Sequence, residues 1–187
     1  PNIREGMSNI LTREENGSKN VFYKEVYVNG VMSNYEILSE EITLEPIQEV
    51  VEYGTKIIPG IGSGKFRYPI DNVIITCRWY CYAGHTAIDV QNMYDRYGPV
   101  RAADRGTVSQ TGYNSINGYY MWIDHNNGYR TYYGHFNRPA YFSVGVNVEK
   151  GEIIGQIGRT GRATGPHVHF VIEYQGTRYN PCRWLGC

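Results

Sequence analysis

Two histidines, His167 and His169, lie one residue apart in an apolar stretch near the C-terminal end of the sequence. The stretch 168–174 is rich in β-branched and aromatic residues, which favours a β-strand. Because successive side chains of a strand point to opposite faces, we expect both imidazoles on one face. Two imidazoles at this spacing can bind one metal ion or act on either side of it, and two partly buried structural histidines are the alternative.

A histidine and a carboxylate four residues apart, His85 and Asp89, form a second candidate. This separation places both side chains on one face of a helix or a strand, and the neighbouring Ile88 and Val90 favour strand or loop. Together with His169 they make a set of two imidazoles and one carboxylate. Three protein ligands leave the fourth position of a tetrahedral zinc ion open, whereas structural sites fill all four. The set therefore points to a catalytic metal.

Proton transfer needs further groups, and two of the three remaining histidines are candidates for it. The sequence contains neither H-E-x-x-H, which supplies the glutamate base of helical zinc proteases, nor the G-x-S-x-G of serine hydrolases. His135 follows a predicted strand, and His167 is the spare member of the close pair. Neutral imidazoles suit proton transfer near pH 7, so His135 and His167 are the candidates. We interpret His125, in a turn after a predicted strand, as structural.

The composition is that of a globular, turn-rich β protein, with 22 glycines and 18 tyrosines in 187 residues. The formal net charge is zero, so bulk electrostatics gives no support for nucleic-acid binding. No apolar run approaches the ~18 residues that a membrane span requires. Because the first residue is Pro1 and not Met, we expect a piece of a longer chain whose targeting signals lie upstream.

The four cysteines form two close pairs, Cys77 with Cys81 and Cys182 with Cys187. A zinc site with four thiolates is one interpretation, but the spacings C-x-x-x-C and C-x-x-x-x-C are looser than the usual C-x-x-C. Disulfides are favoured, which implies an oxidising, extracytoplasmic location. Four cysteines allow three pairings, and the sequence does not choose among them.

Glycine and proline divide the sequence into two predicted domains. Residues 1–56 alternate apolar and polar positions on both sides of Asn29-Gly30, which is a strong β-hairpin signal. A Gly/Pro-rich linker follows over 57–66, and a second domain extends over 67–187. The predicted fold class is all-β with antiparallel sheets and a short helical turn near Pro181. The strands predicted in the second domain are 73–76, 106–110, 119–124, 129–133, 152–158 and 168–174.

Two segments of the first domain carry a family resemblance: Tyr27-Val28-Asn29-Gly30 and the run from Leu38 to Lys56. They resemble the G-five domain, a small extracellular β module of cell-wall proteins. The resemblance covers the later two thirds of that module, so we interpret residues 1–56 as a partial copy. It implies either binding of N-acetylglucosamine glycan or a spacer role, and both stay open.

The second domain carries a longer series of short motifs. In order they are Tyr68-Pro69-Ile70, His85-x-x-x-Asp89, Pro99-Val100-Arg101-Ala102-Ala103, Ile123-Asp124-His125-x-Asn127-Gly128-Tyr129, Tyr133-Gly134-His135 and Gly165-Pro166-His167-Val168-His169-Phe170. Their order and spacing resemble the lysostaphin-type zinc metalloendopeptidases, which cut peptide cross-links of bacterial peptidoglycan, over nearly all of residues 67–185.

This resemblance implies roles for five residues. His85, Asp89 and His169, below called the metal triad, would bind Zn²⁺. His135 and His167, below called the histidine pair, would flank the zinc-bound water and the scissile carbonyl.

The segment between Cys77 and His85 departs from the family pattern, since it reads C-R-W-Y-C-Y-A-G. The departure is expected to reshape one wall of the substrate groove. Tyr80 and Tyr82 are the candidates for the tyrosine that often assists near the metal in this family.

The sequence therefore predicts a secreted or cell-wall-associated zinc endopeptidase that hydrolyses amide bonds in peptidoglycan stems or cross-bridges. The alternatives are a catalytically inactive wall-binding or regulatory protein, and an adhesion protein in which the first domain dominates.

Overall fold

The computed structural model describes residues 3–187. By their internal contacts they divide into two compact units, one holding residue 3 and residues 7–55 and the other residues 4–6 and 56–187. Each unit is described by itself.

The first unit consists of strands alone. The longest pair, β2 and β3, forms an antiparallel hairpin whose residues are exposed along both strands. Asn29 and Gly30 connect them with φ angles of 54° and 81°, the left-handed conformation that a two-residue hairpin turn requires at both positions. The hairpin predicted at Asn29-Gly30 is thus confirmed. The strands are β1 (Ser8–Thr12), β2 (Ser18–Val28), β3 (Val31–Leu44) and β4 (Val50–Tyr53), with β4 antiparallel to β1.

The second unit is built around an eight-stranded antiparallel sheet. Its strand order is β11-β8-β9-β10-β13-β6-β5, and β14 also pairs with β13. A separate two-stranded sheet joins β7 and β12. The elements are β5 (Val73–Cys77), β6 (Ile88–Asn92), β7 (Pro99–Arg101), β8 (Gly106–Asn114), β9 (Gly118–Asp124), β10 (Tyr129–Phe136), β11 (Asn147–Val148), β12 (Ile153–Gln156), β13 (Val168–Tyr174), β14 (Thr177–Tyr179) and α1 (Cys182–Leu185).

The predicted all-β antiparallel fold is confirmed, including the helical turn after Pro181. Four of the strands, β6, β7, β11 and β14, are absent from the sequence-based set. β6 is almost fully buried on both faces, so it lacks the alternation by which a strand is recognised. The other three have two or three residues each, which is too short for a periodic pattern.

The core lies against one face of the large sheet. Val168, Phe170 and Ile172 of β13 are fully buried there, and the small sheet adds Val100 and Ile154. Alternation along β13 therefore sends these three side chains into the core and leaves His169 on the other face, where Val171 packs in a smaller cluster with Ala87 and Tyr132.

The cysteines pair within each close pair, as the disulfides Cys77–Cys81 and Cys182–Cys187. This selects one of the three possible pairings and leaves no free cysteine among the residues that the structure describes. Across residues 3–187, no helix has the length and apolar character of a membrane span.

His125 is fully buried and belongs to a hydrogen-bond chain that joins three segments. Its Nδ1–H donates to the Arg105 carbonyl at 2.7 Å, and its Nε2 lies 2.9 Å from Thr131 Oγ1. Thr131 Oγ1 lies 2.8 Å from the Tyr133 hydroxyl, which accepts from the Ala103 amide at 2.8 Å. Every group is satisfied when Tyr133 donates to Thr131, Thr131 donates to His125 and the imidazole is neutral. The interpretation of His125 as structural agrees with this position.

Replacing Thr131 by valine keeps the side-chain shape and removes the central hydroxyl of this chain. His125 Nε2 and the Tyr133 hydroxyl then lose a buried partner, which costs about 1–3 kcal/mol of unfolding free energy. Urea unfolding of Thr131→Val measures the loss. Thr177→Val, an exposed change on β14, is the control and should stay within about 0.5 kcal/mol of the parent. Equal unfolding free energies of the two variants would contradict a stabilising role of this hydrogen-bond chain.

Burial also predicts how stability depends on pH. Burial lowers the pKa of His125, and it lowers the pKa of His135 to about 4. An unfolded histidine titrates near pH 6.5, so below that pH the unfolded state binds more protons and gains stability relative to the folded state. The unfolding free energy of the metal-free protein should therefore fall between pH 7.5 and pH 5, by at most about 1.4 kcal/mol per pH unit for each histidine. Thermal unfolding across this range measures the slope. His135→Gln should reduce the slope. An unfolding free energy that stays constant or rises on acidification would contradict the lowered pKa values of the two buried histidines.

Candidate active site

Strand register places Asp89 beside His169. The two residues are direct partners in the antiparallel pairing of β6 with β13. Cross-strand partners point to the same face, so the carboxylate and the imidazole meet. Asp89 Oδ1 lies 2.8 Å from His169 Nδ1.

His85 approaches the same carboxylate from the turn before β6. Its backbone closes that turn, donating to the Tyr82 carbonyl at 3.1 Å and accepting from the Tyr80 amide at 2.9 Å. The ring is 2% exposed, with Nε2 3.1 Å from Asp89 Oδ1 and Nδ1 2.9 Å from the Arg78 carbonyl. Since a carbonyl can only accept, Nδ1 carries a proton, and Nε2 is the ring nitrogen that faces Asp89.

The metal triad fits a metal ion. One donor atom from each of its residues lies within 4.8 Å of the other two. Two imidazole nitrogens and a carboxylate oxygen are donors that Zn²⁺ accepts readily. A second group, Cys77, Cys81 and His85, meets the same distance criterion, but its sulfurs are joined in a disulfide and offer no thiolate.

Asp89 is held as a carboxylate at this position. Burial alone would raise its pKa, but the hydrogen bond from His169 and the neighbouring imidazoles of His167 and His85 lower the pKa below its usual value. A charged acceptor in contact with two imidazole nitrogens is therefore present before any cation binds.

A bulge in β10 turns His135 towards this group. Gly134 is the partner of His169 in β13, and the register of β10 with β9 shifts between Tyr133 and Phe136. His135 within the bulge has φ 65°, a left-handed conformation uncommon for a residue other than glycine. Its amide donates to the Asn117 carbonyl at 2.8 Å.

The side chain of His135 is oriented by a second backbone carbonyl. Nδ1 lies 2.8 Å from the Thr160 carbonyl, so Nδ1 carries the proton and Nε2 is left as the free acceptor. Burial lowers the pKa to about 4, against the opposing effect of the Thr160 hydrogen bond. His135 is therefore neutral at pH 7.

His167 has the same arrangement one residue before β13. Its Nδ1 lies 2.9 Å from the Gly165 carbonyl, and its ring centroid is 4.7 Å from that of His135. Nε2 lies 3.8 Å from Asp89 Oδ2. The histidine pair thus stands next to the metal triad, and the structure brings together all five residues singled out in the sequence.

These five residues line one groove with a volume of about 790 Å³. Tyr82 also lines it, with its ring centroid 4.7 Å from that of His85, whereas Tyr80 is not among the lining residues. Two arginines, Arg162 and Arg178, supply the other charged side chains of the lining and were missed in the sequence. They come from separate segments, and neither has a local motif around it. Further lining residues are Thr86, Ile116, Asn117, Ala163 and Thr164.

Two family models match the sequence. The model of peptidase family M23 matches residues 83–181, and that of the G5 domain matches residues 1–56. The first match contains the metal triad and the histidine pair. The second covers the segment whose motifs resemble the G-five domain.

Three similar proteins illustrate the family. The peptidoglycan DD-endopeptidase ShyC of Vibrio cholerae is 42% identical over 83 residues, 44% of this chain and 19% of ShyC. The DD-carboxypeptidase/endopeptidase Mpg of Neisseria meningitidis is 35% identical over 119 residues, 64% of this chain and 26% of Mpg. The catalytic domain of the prophage-encoded M23 protein EnpA from Enterococcus faecalis, solved as a point mutant, has a TM-score of 0.54 and 28% identity, covering 63% of this chain and 96% of that domain.

The chain spans about a fifth to a quarter of the length of the two curated relatives, 19% of ShyC and 26% of Mpg. The match to the family model, in contrast, extends over more than half of the chain and includes its groove. This chain belongs to peptidase family M23.

Proposed function

We propose that this protein is a zinc-dependent endopeptidase that hydrolyses peptide bonds in the stems or cross-bridges of bacterial peptidoglycan. The observation that carries the proposal is the convergence of the metal triad and the histidine pair in one groove. The named activities of ShyC and Mpg, both endopeptidases and the former a peptidoglycan DD-endopeptidase, support the choice of substrate.

The metal triad would hold the zinc through His85 Nε2, an Asp89 carboxylate oxygen and His169 Nδ1. Bound there, Zn²⁺ supplies a Lewis acid that polarises a carbonyl and lowers the pKa of water. The protein contributes a prearranged donor set. Asp89 is already ionised, and the ring proton of His85 is committed to the Arg78 carbonyl, which leaves Nε2 as a ligand atom.

The histidine pair would handle the proton of the attacking water. Each ring keeps its Nδ1 proton on a backbone carbonyl, Thr160 for His135 and Gly165 for His167, so only Nε2 is available for exchange. A neutral imidazole can accept the water proton as the scissile carbonyl is attacked and then donate it to the leaving amine. The other ring can donate a hydrogen bond to the oxyanion if it is protonated.

An extracytoplasmic location, secreted or attached to the cell wall, belongs to the same proposal. Two disulfides and a wall polymer as substrate support it. For the first unit, binding of N-acetylglucosamine glycan and a spacer role both stay predictions.

A catalytically inactive binding or regulatory protein is the alternative function. It requires no particular residue at the five positions of the groove. All five hold the residues that hydrolysis requires, and this favours the enzyme.

Substitutions within the groove separate metal binding from catalysis. His135→Ala and His167→Ala should each lower the rate of fragment release from peptidoglycan by roughly 10²–10⁴-fold, since each removes a proton-transfer group. Both variants should keep their zinc, because the metal triad is intact. The rates come from chromatography of released fragments, and the zinc content from elemental analysis. Tyr113→Ala, an exposed aromatic change on β8 outside the groove, is the control and should leave both unchanged.

His85→Ala tests the metal triad directly. This variant should lose the metal and the activity together, because two remaining ligands hold zinc weakly. A His85→Ala protein that retains the zinc content of the parent would refute the metal triad. A His135→Ala protein with a rate close to that of the parent would refute the assignment of the histidine pair.

A further inference from the structure

The Cys77–Cys81 disulfide lies directly beside the proposed zinc ligand His85. Its two sulfur atoms are 3.6 Å and 3.4 Å from His85 Nδ1, the nitrogen that faces away from Asp89. We propose that this disulfide is a positioning element. It holds the Arg78 carbonyl against His85 and thereby fixes the imidazole as a metal ligand. The proposal rests on the zinc site of the proposed function.

The carbonyl determines which nitrogen of His85 can bind a metal. A neutral imidazole has one N–H and one lone pair, and a ligating histidine usually donates its N–H to an acceptor in the surrounding protein. Here the acceptor is the Arg78 carbonyl, 2.9 Å from Nδ1. If this carbonyl moves away, the proton can shift to Nε2, which then cannot bind a metal beside Asp89.

The disulfide encloses this carbonyl and connects it to the sheet. Arg78 lies inside the five-residue loop that Cys77 and Cys81 close. Cys77 is the last residue of β5 and the cross-strand partner of Asp89 in β6. One end of the loop is therefore fixed to the residue that supplies the carboxylate ligand. The disulfide fixes the other end, Cys81, to the first.

Packing contributes little to holding this loop. Within the loop, Arg78, Tyr80 and Cys81 are exposed and Cys77 and Trp79 are only half-buried, so none of its side chains is anchored in the core. Tyr80 has φ 57°, a left-handed conformation that is unfavourable for a residue with a side chain. Two backbone hydrogen bonds support the loop, from the Cys81 amide to Arg78 at 3.0 Å and from the Tyr80 amide to His85 at 2.9 Å. The covalent bond therefore replaces the burial that holds the other two ligands on their strands.

Removal of the bond by mutation tests the proposal with a matched control in the same chain. The double variant Cys77→Ser/Cys81→Ser lacks the bond beside His85, and Cys182→Ser/Cys187→Ser lacks the bond at α1. Competition with a chelating dye measures the zinc dissociation constant of each. The first variant should bind zinc about 10–100-fold more weakly than the parent, the range seen for loss of a group that orients a ligand. The second should remain within about threefold, since its cysteines lie outside the groove, and the hydrogen bond from Arg78 Nη1 to the Cys187 carbonyl at 3.4 Å uses a backbone atom that serine keeps. Serine leaves no thiol that could bind the metal instead.

Zinc affinity within threefold of the parent in Cys77→Ser/Cys81→Ser would overturn the proposal. An equal loss in both double variants would overturn it as well, because the effect would then be general destabilisation. A parent protein that binds no zinc would overturn the metal site of the proposed function. Zinc binding by the parent thus tests the metal site, and the comparison of the two double variants tests the disulfide.

Reduction of the folded protein provides a second route that does not require the chain to fold without the bond. In the Cys182→Ser/Cys187→Ser background, dithiothreitol supplies two electrons and two protons, closes to its own cyclic disulfide and leaves two thiols at Cys77 and Cys81. Nitrogen NMR of the metal-free protein then reports the Nδ1–H group of His85, whose proton the Arg78 carbonyl accepts. Its signal should be protected from solvent exchange before reduction, lose that protection after reduction, and regain it when oxidised glutathione forms the disulfide again. Protection that is unchanged by reduction would overturn the proposal.

Discussion

The buried carboxylate of Asp89 is the constraint on which the groove depends. An ionised carboxylate in a protein interior costs several kcal/mol unless charged or polar groups compensate it. Here the imidazoles of His85 and His169 contact one oxygen at 3.1 Å and 2.8 Å. The pairing of β6 with β13 fixes the second of these contacts, and the turn before β6 fixes the first. Sheet register and the electrostatics of one side chain thus determine where a cation can bind.

Backbone carbonyls orient the three histidines of the groove that are not fixed by a strand partner. Arg78, Thr160 and Gly165 each accept the Nδ1 proton of one ring. In every case Nδ1 is committed to a carbonyl, and Nε2 is the nitrogen left to act in the groove. The irregular parts of the chain, namely the disulfide-closed turn, the β10 bulge and the loop before β13, are therefore as important for the site as the strands.

Much of this arrangement could be predicted from the sequence. The alternation around His169 and the four-residue spacing of His85 and Asp89 indicated which side chains could share a face. The order of the motifs carried the family resemblance, and that resemblance implied that the segments holding the five residues meet at one site. The left-handed bulge at His135 could not be predicted, because it depends on the mismatch between β10 and β9 and not on any local residue pattern. The arginines of the groove were missed for a similar reason, since tertiary contacts bring their segments together.

The Cys77–Cys81 pairing shows a different limit. Sequence spacing favoured disulfides but left three pairings open, and it did not place either sulfur next to His85. That proximity results from the register of β5 with β6, which a sequence pattern of five residues does not specify.

Hydrolysis of peptidoglycan in the groove, with the help of a bound metal, can be tested by mass spectrometry. Purified peptidoglycans of several cross-bridge types would be digested by the zinc-loaded protein, with a chelated sample beside it. We expect new fragments whose masses identify one hydrolysed amide bond and which are absent from the chelated sample. If about one zinc per chain is confirmed and no wall type releases fragments, the proposed hydrolysis is wrong and the inactive wall-binding protein becomes the better description.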